Sequence, residues 1–220
     1  MKGQVVYTDL GVMEYLAAWE RQRDVARAVM ERPGDGPAGH VLFVEHPRVY
    51  TLGRNGNEAN MLERGDVPLV KVDRGGDITY HGPGQLVVYP ILDLAALGLG
   101  ARAYVAGLEE VVIRVTRHHG IVGERLPGAT GVWIAPGGAN ARKICAIGIK
   151  CARHVTMHGL ALNVNTELDY FSRIHPCGFT DKGVTSMARE LGRAVAMEGV
   201  KAVLKDAFES VFLPREGSRG

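Results

Sequence analysis

No run of about 18 apolar residues occurs anywhere in this chain, which excludes a membrane-spanning helix. Its opening residues, MKGQVVYTDLG, lack the apolar core and small-residue cleavage site of a secretion signal. Only three of the 220 residues are cysteine, an odd number without metal-type spacing. That argues against a disulfide framework and for a reducing, cytoplasmic location. Excess charge is missing too: the net charge is +2, and no Lys/Arg run supplies a phosphate-tracking patch, so nucleic acid is not an expected partner. Three catalytic or nucleotide-binding signatures are absent as well. There is no G-x-x-x-x-G-K-[ST] phosphate loop, no G-x-S-x-G elbow and no H-E-x-x-H metal motif. His154 and His158 stand four apart, but in a strand-like run, so no metal is expected.

What is present is an ordinary globular composition, 46% hydrophobic and 23% charged, with no internal repeat. One domain over residues 1–213 with a flexible tail at 214–220 accommodates the length. Alternating or continuous apolar runs predict strands at 4–8, 41–45, 49–52, 69–72, 77–80, 85–92, 131–135, 143–151 and 155–165. Helical spacing predicts helices over 12–32, 101–119, 185–195 and 200–213, with a short helical piece near 59–64. Gly120 stands where a C′ glycine belongs. Gln22 and Arg23 interrupt the apolar stripe of the first helix, so its middle is expected to be partly exposed. The glycine- and proline-rich residues 32–39 read as an exposed connection. Together these elements indicate an α+β domain, a mixed or antiparallel sheet covered by helices.

Two segments concentrate chemistry. Residues 155–187 deliver Cys177 between Pro176 and Gly178, a rigid corner that suits a presented thiolate better than core filling. Residues 73–85, DRGGDITYHGPGQ, hold four glycines in ten residues, with Arg74, Asp77, Tyr80, His81 and Gln85 crowded among them. A phosphate cradle is disfavoured there, because its last glycines feed a strand rather than a helix N-terminus. Candidate partners for the thiol are His175, His81, His158 and Lys143. An ammonium beside sulfur stabilises thiolate and can pass a proton to a leaving thiol or from an attacking amine. Strict alternation places Lys143 on one face with Cys145, Ile147, Ile149 and Cys151, where a lysine snorkelling at a sheet edge is the alternative.

The blocks RGGDITYHGPGQLVVYP, GVW, KICAIGIK, HGLALNVN and IHPCG, in that order over residues 74–178, resemble the lipoate–protein ligase B family of octanoyl-[acyl-carrier-protein]:protein octanoyltransferases. The resemblance implies a fold similar to the catalytic domains of biotin and lipoate protein ligases, without their adenylation chemistry and without a cofactor. It implies octanoyl transfer from acyl carrier protein to Cys177, then to a lysine on a lipoyl domain. Acceptors of that kind belong to 2-oxoacid dehydrogenases and the glycine-cleavage H protein. By position, Lys143 matches the family's acid/base lysine. The acyl-binding segments correspond to Arg74, Gly75, Gly76, Asp77, Ile78, Thr79, Tyr80 and His81, to Ala146, Ile147 and Gly148, and to Gly159, Leu160 and Ala161. Gly148 and Gly159 are expected to leave room for an apolar chain, and Cys145 and Cys151 to be structural. Backbone N–H groups near Cys177 and Gly178, or near Gly76 and Asp77, are the two candidates for an oxyanion hole. The rival readings are an ATP-dependent lipoate or biotin ligase, a non-catalytic acyl- or carrier-binding module, and a cysteine hydrolase.

Overall fold

A computed structural model describes residues 4–31, 37–175 and 182–213. Its centre is an eight-stranded mixed sheet in the order β1 (Val5–Val12), β2 (Gly39–Glu45), β6 (Gln85–Leu92), β10 (Val155–Asn163), β9 (Arg142–Ala152), β8 (Ala129–Ile134) and β7 (Glu124–Leu126). β11 (Gly183–Val184) adds to β9 in parallel. β1 and β2 are also parallel, because helix α1 (Tyr15–Glu31) carries the chain across between them. A small sheet of β4 (Leu69–Lys71), β3 (Val49–Leu52) and β5 (Ile78–His81) stands beside the large one.

Helices α2 (Ala101–His118) and α4 (Met197–Phe212) cover one face of the large sheet. Tyr104, Leu108, Val111, Val112 and Val115 of α2 meet Val200, Leu204, Phe208 and Phe212 of α4 over Leu86, Val88, Cys145, Leu160 and Leu162. α2 ends as its sequence predicts, with Gly120 at φ +80° after the His119 cap. α1 packs on the other face, setting Ala18, Val25 and Ala26 against Leu42, Val87, Tyr89 and Ala161. A short helix α3 (Met187–Leu191) is N-capped by Ser186 and closed by Gly192 at φ +65°.

The structure shifts several expectations. β1 runs on to Val12, so α1 begins at Tyr15, and the piece near 59–64 is only a 3-10 turn, Glu58–Asn60. α3 is five residues long, because Gly192 ends it well before 195. β7, β11 and a second 3-10 segment, Leu168–Arg173, are too short to leave a periodicity in the sequence. Gln22 is fully buried rather than exposed, and its Oε1 accepts the backbone N–H of His158 at 2.8 Å. The corner at Cys177, most of the connection at 32–39 and the tail at 214–220 lie outside the described residues.

Strict alternation fails in β9. Val132 pairs with Cys145, yet Trp133 pairs with Lys143, so Ile144 is an extra residue, a β-bulge. Ile144 and Cys145 both enter the core under α2 and α4. Lys143 is thereby turned to the opposite face, the one shared by Ala146 and Gly148, where its Nζ lies 4.6 Å from the Trp133 ring centroid.

Candidate active site

A cavity of about 430 Å³ opens mainly on the face of the sheet opposite α2 and α4, between β9, β10, the small sheet and the start of α1, and reaches Val105 of α2 at one edge. Its floor is made of small residues. Ala146 faces Ala161 across the β9–β10 ladder, and Gly148 faces Gly159. Lys143 lines it, as do Arg74, Gly75, Gly76, Asp77, Ile78, Thr79 and His81; Ile147 and Leu160 also border it, although their side chains pack into the cluster under α2 and α4. Tyr80 does not. Alternation along β5 turns its ring the other way, with the Ile78 side chain, into a cluster with Tyr50, Tyr170 and Phe171, although Ile78 still borders the cavity.

Both floor glycines are required by close approach, and in neither case is the vacated space empty. A Cβ on Gly148 would lie 3.0 Å from the Gly75 carbonyl oxygen and 3.1 Å from Arg74 Cδ. A Cβ on Gly159 would lie 2.2 Å from the Val88 carbonyl oxygen. The expected room is therefore occupied by protein backbone, and the cavity lies alongside it.

The irregularity around Gly159 traces to Pro90. Proline has no N–H for the ladder, and the β6–β10 register is regular only from Leu160↔Val88 onward. Thr156 Oγ1 fills the gap, donating to the Pro90 carbonyl at 2.8 Å and accepting from the Leu92 N–H at 3.0 Å. His158 adopts φ +59°, an uncommon value for a residue with a side chain, and Gln22 satisfies its N–H. The kink aims the imidazole into the cavity wall, where Nε2 donates to Asp73 Oδ1 at 2.8 Å. Lys150 Nζ donates to the other Asp73 oxygen at 2.6 Å. Burial pushes the Asp73 carboxyl up, but His158 and Lys150 outweigh it and hold the group below its ordinary value. Burial holds His158 itself below the ordinary histidine value, against the pull of Asp73.

A chain of side-chain hydrogen bonds crosses the cavity wall in one direction. Arg74 Nη2 donates to Thr51 Oγ1 at 2.9 Å, and Thr51 lies 3.3 Å from His81 Nε2. His81 Nδ1 lies 2.8 Å from Gln85 Oε1. Gln85 Nε2 donates to Asn163 Oδ1 at 2.9 Å, and Asn163 Nδ2 donates to the Thr185 carbonyl at 2.9 Å. Thr185 N–H bonds the Lys143 carbonyl at 3.0 Å, so the chain ends on the strand that carries the lysine. His81 must be neutral with its proton on Nδ1 for this polarity, since Gln85 offers an oxygen and Thr51 can donate. Burial agrees, lowering the imidazole to about 3. Next to it, His46 is lowered to about 4 by burial and bonds the Met13 carbonyl and the Tyr89 hydroxyl. Tyr15 stacks on His81 with ring centroids 5.8 Å apart.

Sequence reasoning passed over Tyr15, Thr51, Asp73 and Asn163. Gln85 stood in the crowded segment without a role. Asn163, in HGLALNVN, carried a signal because polar residues are rare in strands buried on both faces, and Asp73 carried only its place beside the paired glycines. Cys145 is buried, and burial drives its thiol far above the ordinary value. Cys151 is also pushed up by burial. Neither favours thiolate, which suits structural roles. Cys177 lies outside the described residues. Among the described residues, no group of three or more His, Cys, Asp or Glu side chains has the geometry to hold a metal ion. No helix among them is long and apolar enough to cross a membrane.

Comparison with known proteins adds a family. The model described as "Lipoyl protein ligase A/B catalytic domain" matches residues 7–209. An octanoyltransferase from Bacteroides fragilis (strain YCH46) is 53% identical over 206 residues, covering 90% of this chain and 93% of that protein. Among solved structures, the bi-partite lipoate protein ligase of Thermoplasma acidophilum aligns with a TM-score of 0.69 at 18% identity, over 96% of this chain and 84% of that one. The biotin protein ligase of Aquifex aeolicus aligns at 0.51 and 10% identity, over 94% and 67%. These two share the fold.

Proposed function

The chain belongs to the lipoyl protein ligase A/B catalytic-domain family, and from that premise we propose that it is an octanoyltransferase acting in protein lipoylation. The donor is octanoyl thioester on acyl carrier protein, and the acceptor is a lysine on a lipoyl domain, as in 2-oxoacid dehydrogenases and the glycine-cleavage H protein. The observation that supports this reading best is the cavity itself. An apolar floor of Ala146, Gly148, Gly159 and Ala161 leads along β9 to a lysine that a bulge has turned onto the same face.

In the proposed cycle the Cys177 thiolate attacks the donor carbonyl. The bond to the carrier sulfur breaks, and Lys143 gives the leaving thiolate a proton. The acceptor ε-amine then attacks the Cys177 thioester, the Cys177 carbon–sulfur bond breaks, and Lys143 takes the amine proton. The thioester supplies the activation, so no nucleotide enters. Arg74, Gly75, Gly76, Asp77, Ile78, Thr79, His81, Ile147 and Leu160 border the acyl chain, and Tyr80 supports this wall from behind. The neutral His81–Gln85–Asn163 chain keeps the Lys143 strand in register.

The test is transfer to a lipoyl domain from two donors. Octanoyl-acyl carrier protein without ATP is expected to support it, and free octanoate with ATP is not. The reverse pattern would replace the transferase with an acyl-adenylate ligase.

A further inference from the structure

We infer that Asp73, clamped by His158 and Lys150, is a positioning residue that fixes the closed end of the acyl cavity and so limits the length of chain accepted. The inference rests on the acyl-transfer reading and deepens it. On the side of Asp73 the Arg74–Gly75 backbone lies directly on Gly148, with the Gly75 N–H bonded to the Ile149 carbonyl at 2.9 Å, and we take this loop as the end of the chain's path. Asp73, the residue just before this loop, bonds β10 through His158 at 2.8 Å and β9 through Lys150 at 2.6 Å. Three bonds to two strands thus hold the loop down, and two of them end on one carboxylate.

The order of residues along β9 suits a stop, because Gly148 stands five residues past Lys143 on the same face of the sheet. A chain whose carbonyl sits near the lysine runs over Ala146 and Ala161 before it meets the loop at Gly148. The kink at His158 is then explained by its product. A regular ladder at that position would not bring the imidazole to Asp73, and the structure accepts a left-handed residue and a buried Gln22 to achieve it.

The experiment compares octanoyl and dodecanoyl thioesters of acyl carrier protein as donors, using the full chain, Asp73→Asn and Lys150→Met. Steric limits in apolar pockets discriminate by tens of fold per methylene, so releasing the clamp is expected to raise the dodecanoyl-to-octanoyl kcat/KM ratio by about tenfold or more. Protection of the Gly75 amide from hydrogen exchange should fall in the same variants. A merely structural role would lower both donors together, and that result, or an unmoved ratio, overturns the inference. So does a parent protein that uses both donors equally well. A parent that transfers from neither donor overturns the acyl-transfer reading itself, and the clamp with it. Should Asp73→Asn fail to fold, Lys150→Met carries the comparison, because Lys150 is partly exposed and contributes one of the two bonds.

Discussion

The two faces of the central sheet are made from the same strands but from different chemistry. Under α2 and α4, alternate residues of β9 and β10 are Cys145, Ile147, Leu160 and Leu162, packed into an apolar cluster. On the opposite face the intervening residues are Ala146, Gly148, Gly159 and Ala161, and the groups around them are buried and polar. Arg74, His81, Gln85, Lys143, His158 and Asn163 are all nearly inaccessible. The first face supplies the hydrophobic stabilisation that makes the second possible, since buried polar groups in a half-satisfied network cost stability. Folding and function are therefore separable by substitution.

The sharpest separation is expected from Lys143→Ala. Turnover should fall by about 10²- to 10⁴-fold, the usual worth of a positioned acid/base group, as measured by steady-state transfer. Unfolding in urea should change far less. Leu108→Ala inverts the pattern. It should cost about 2–5 kcal/mol of unfolding free energy while each folded molecule keeps its activity.

Acid should find the cavity face first. His46 and His81 are held neutral at about 4 and about 3, against an ordinary 6.5. Between 6.5 and those values the unfolded chain binds protons that the folded chain refuses, so stability falls as pH falls. The His46 contribution is on the order of 2–3 kcal/mol by pH 4.5. Comparing urea unfolding at pH 7 and 4.5 in the parent and in His46→Gln checks it. A parent equally stable at both would erase this difference between the faces.

Gly148→Val is a smaller perturbation. It should overpack the Arg74–Gly75 loop at a cost of about 1–3 kcal/mol and impair octanoyl more than butyryl transfer. Equal loss for both donors would remove Gly148 from the chain's path. At the bottom of the scale, Cys151→Ser at an exposed position should alter stability within about 0.5 kcal/mol and leave thioester formation intact.

The apolar face was legible in the sequence because its signals are periodic. The 3.6-residue stripe of α2 and the hairpin of β9 and β10 are where local pattern places them. Most lining residues were readable too, since glycine pairs and family blocks mark them, although the corner that carries Cys177 lies outside the described residues. What escaped were breaks in periodicity. The bulge at Ile144 that turns Lys143 over has no signature in KICAIGIK. Tyr80 belongs to the right segment but points away, because a strand gives only every second side chain to a cavity. Gln22 looked like a flaw in an amphipathic helix, and its partner, the His158 N–H, is 136 residues away in sequence. Pro90 was visible in β6, but the kink it leaves in β10 depends on strand pairing that one sequence does not display.

Intact-protein mass spectrometry after mixing with octanoyl-acyl carrier protein, without ATP, tests the central claim most directly. The parent is expected to gain one octanoyl group that hydroxylamine removes and a lipoyl domain discharges, while Cys177→Ser gains no thioester. Transfer persisting in Cys177→Ser with no adduct on the parent would contradict the covalent route and mean direct attack of the acceptor lysine on the bound donor.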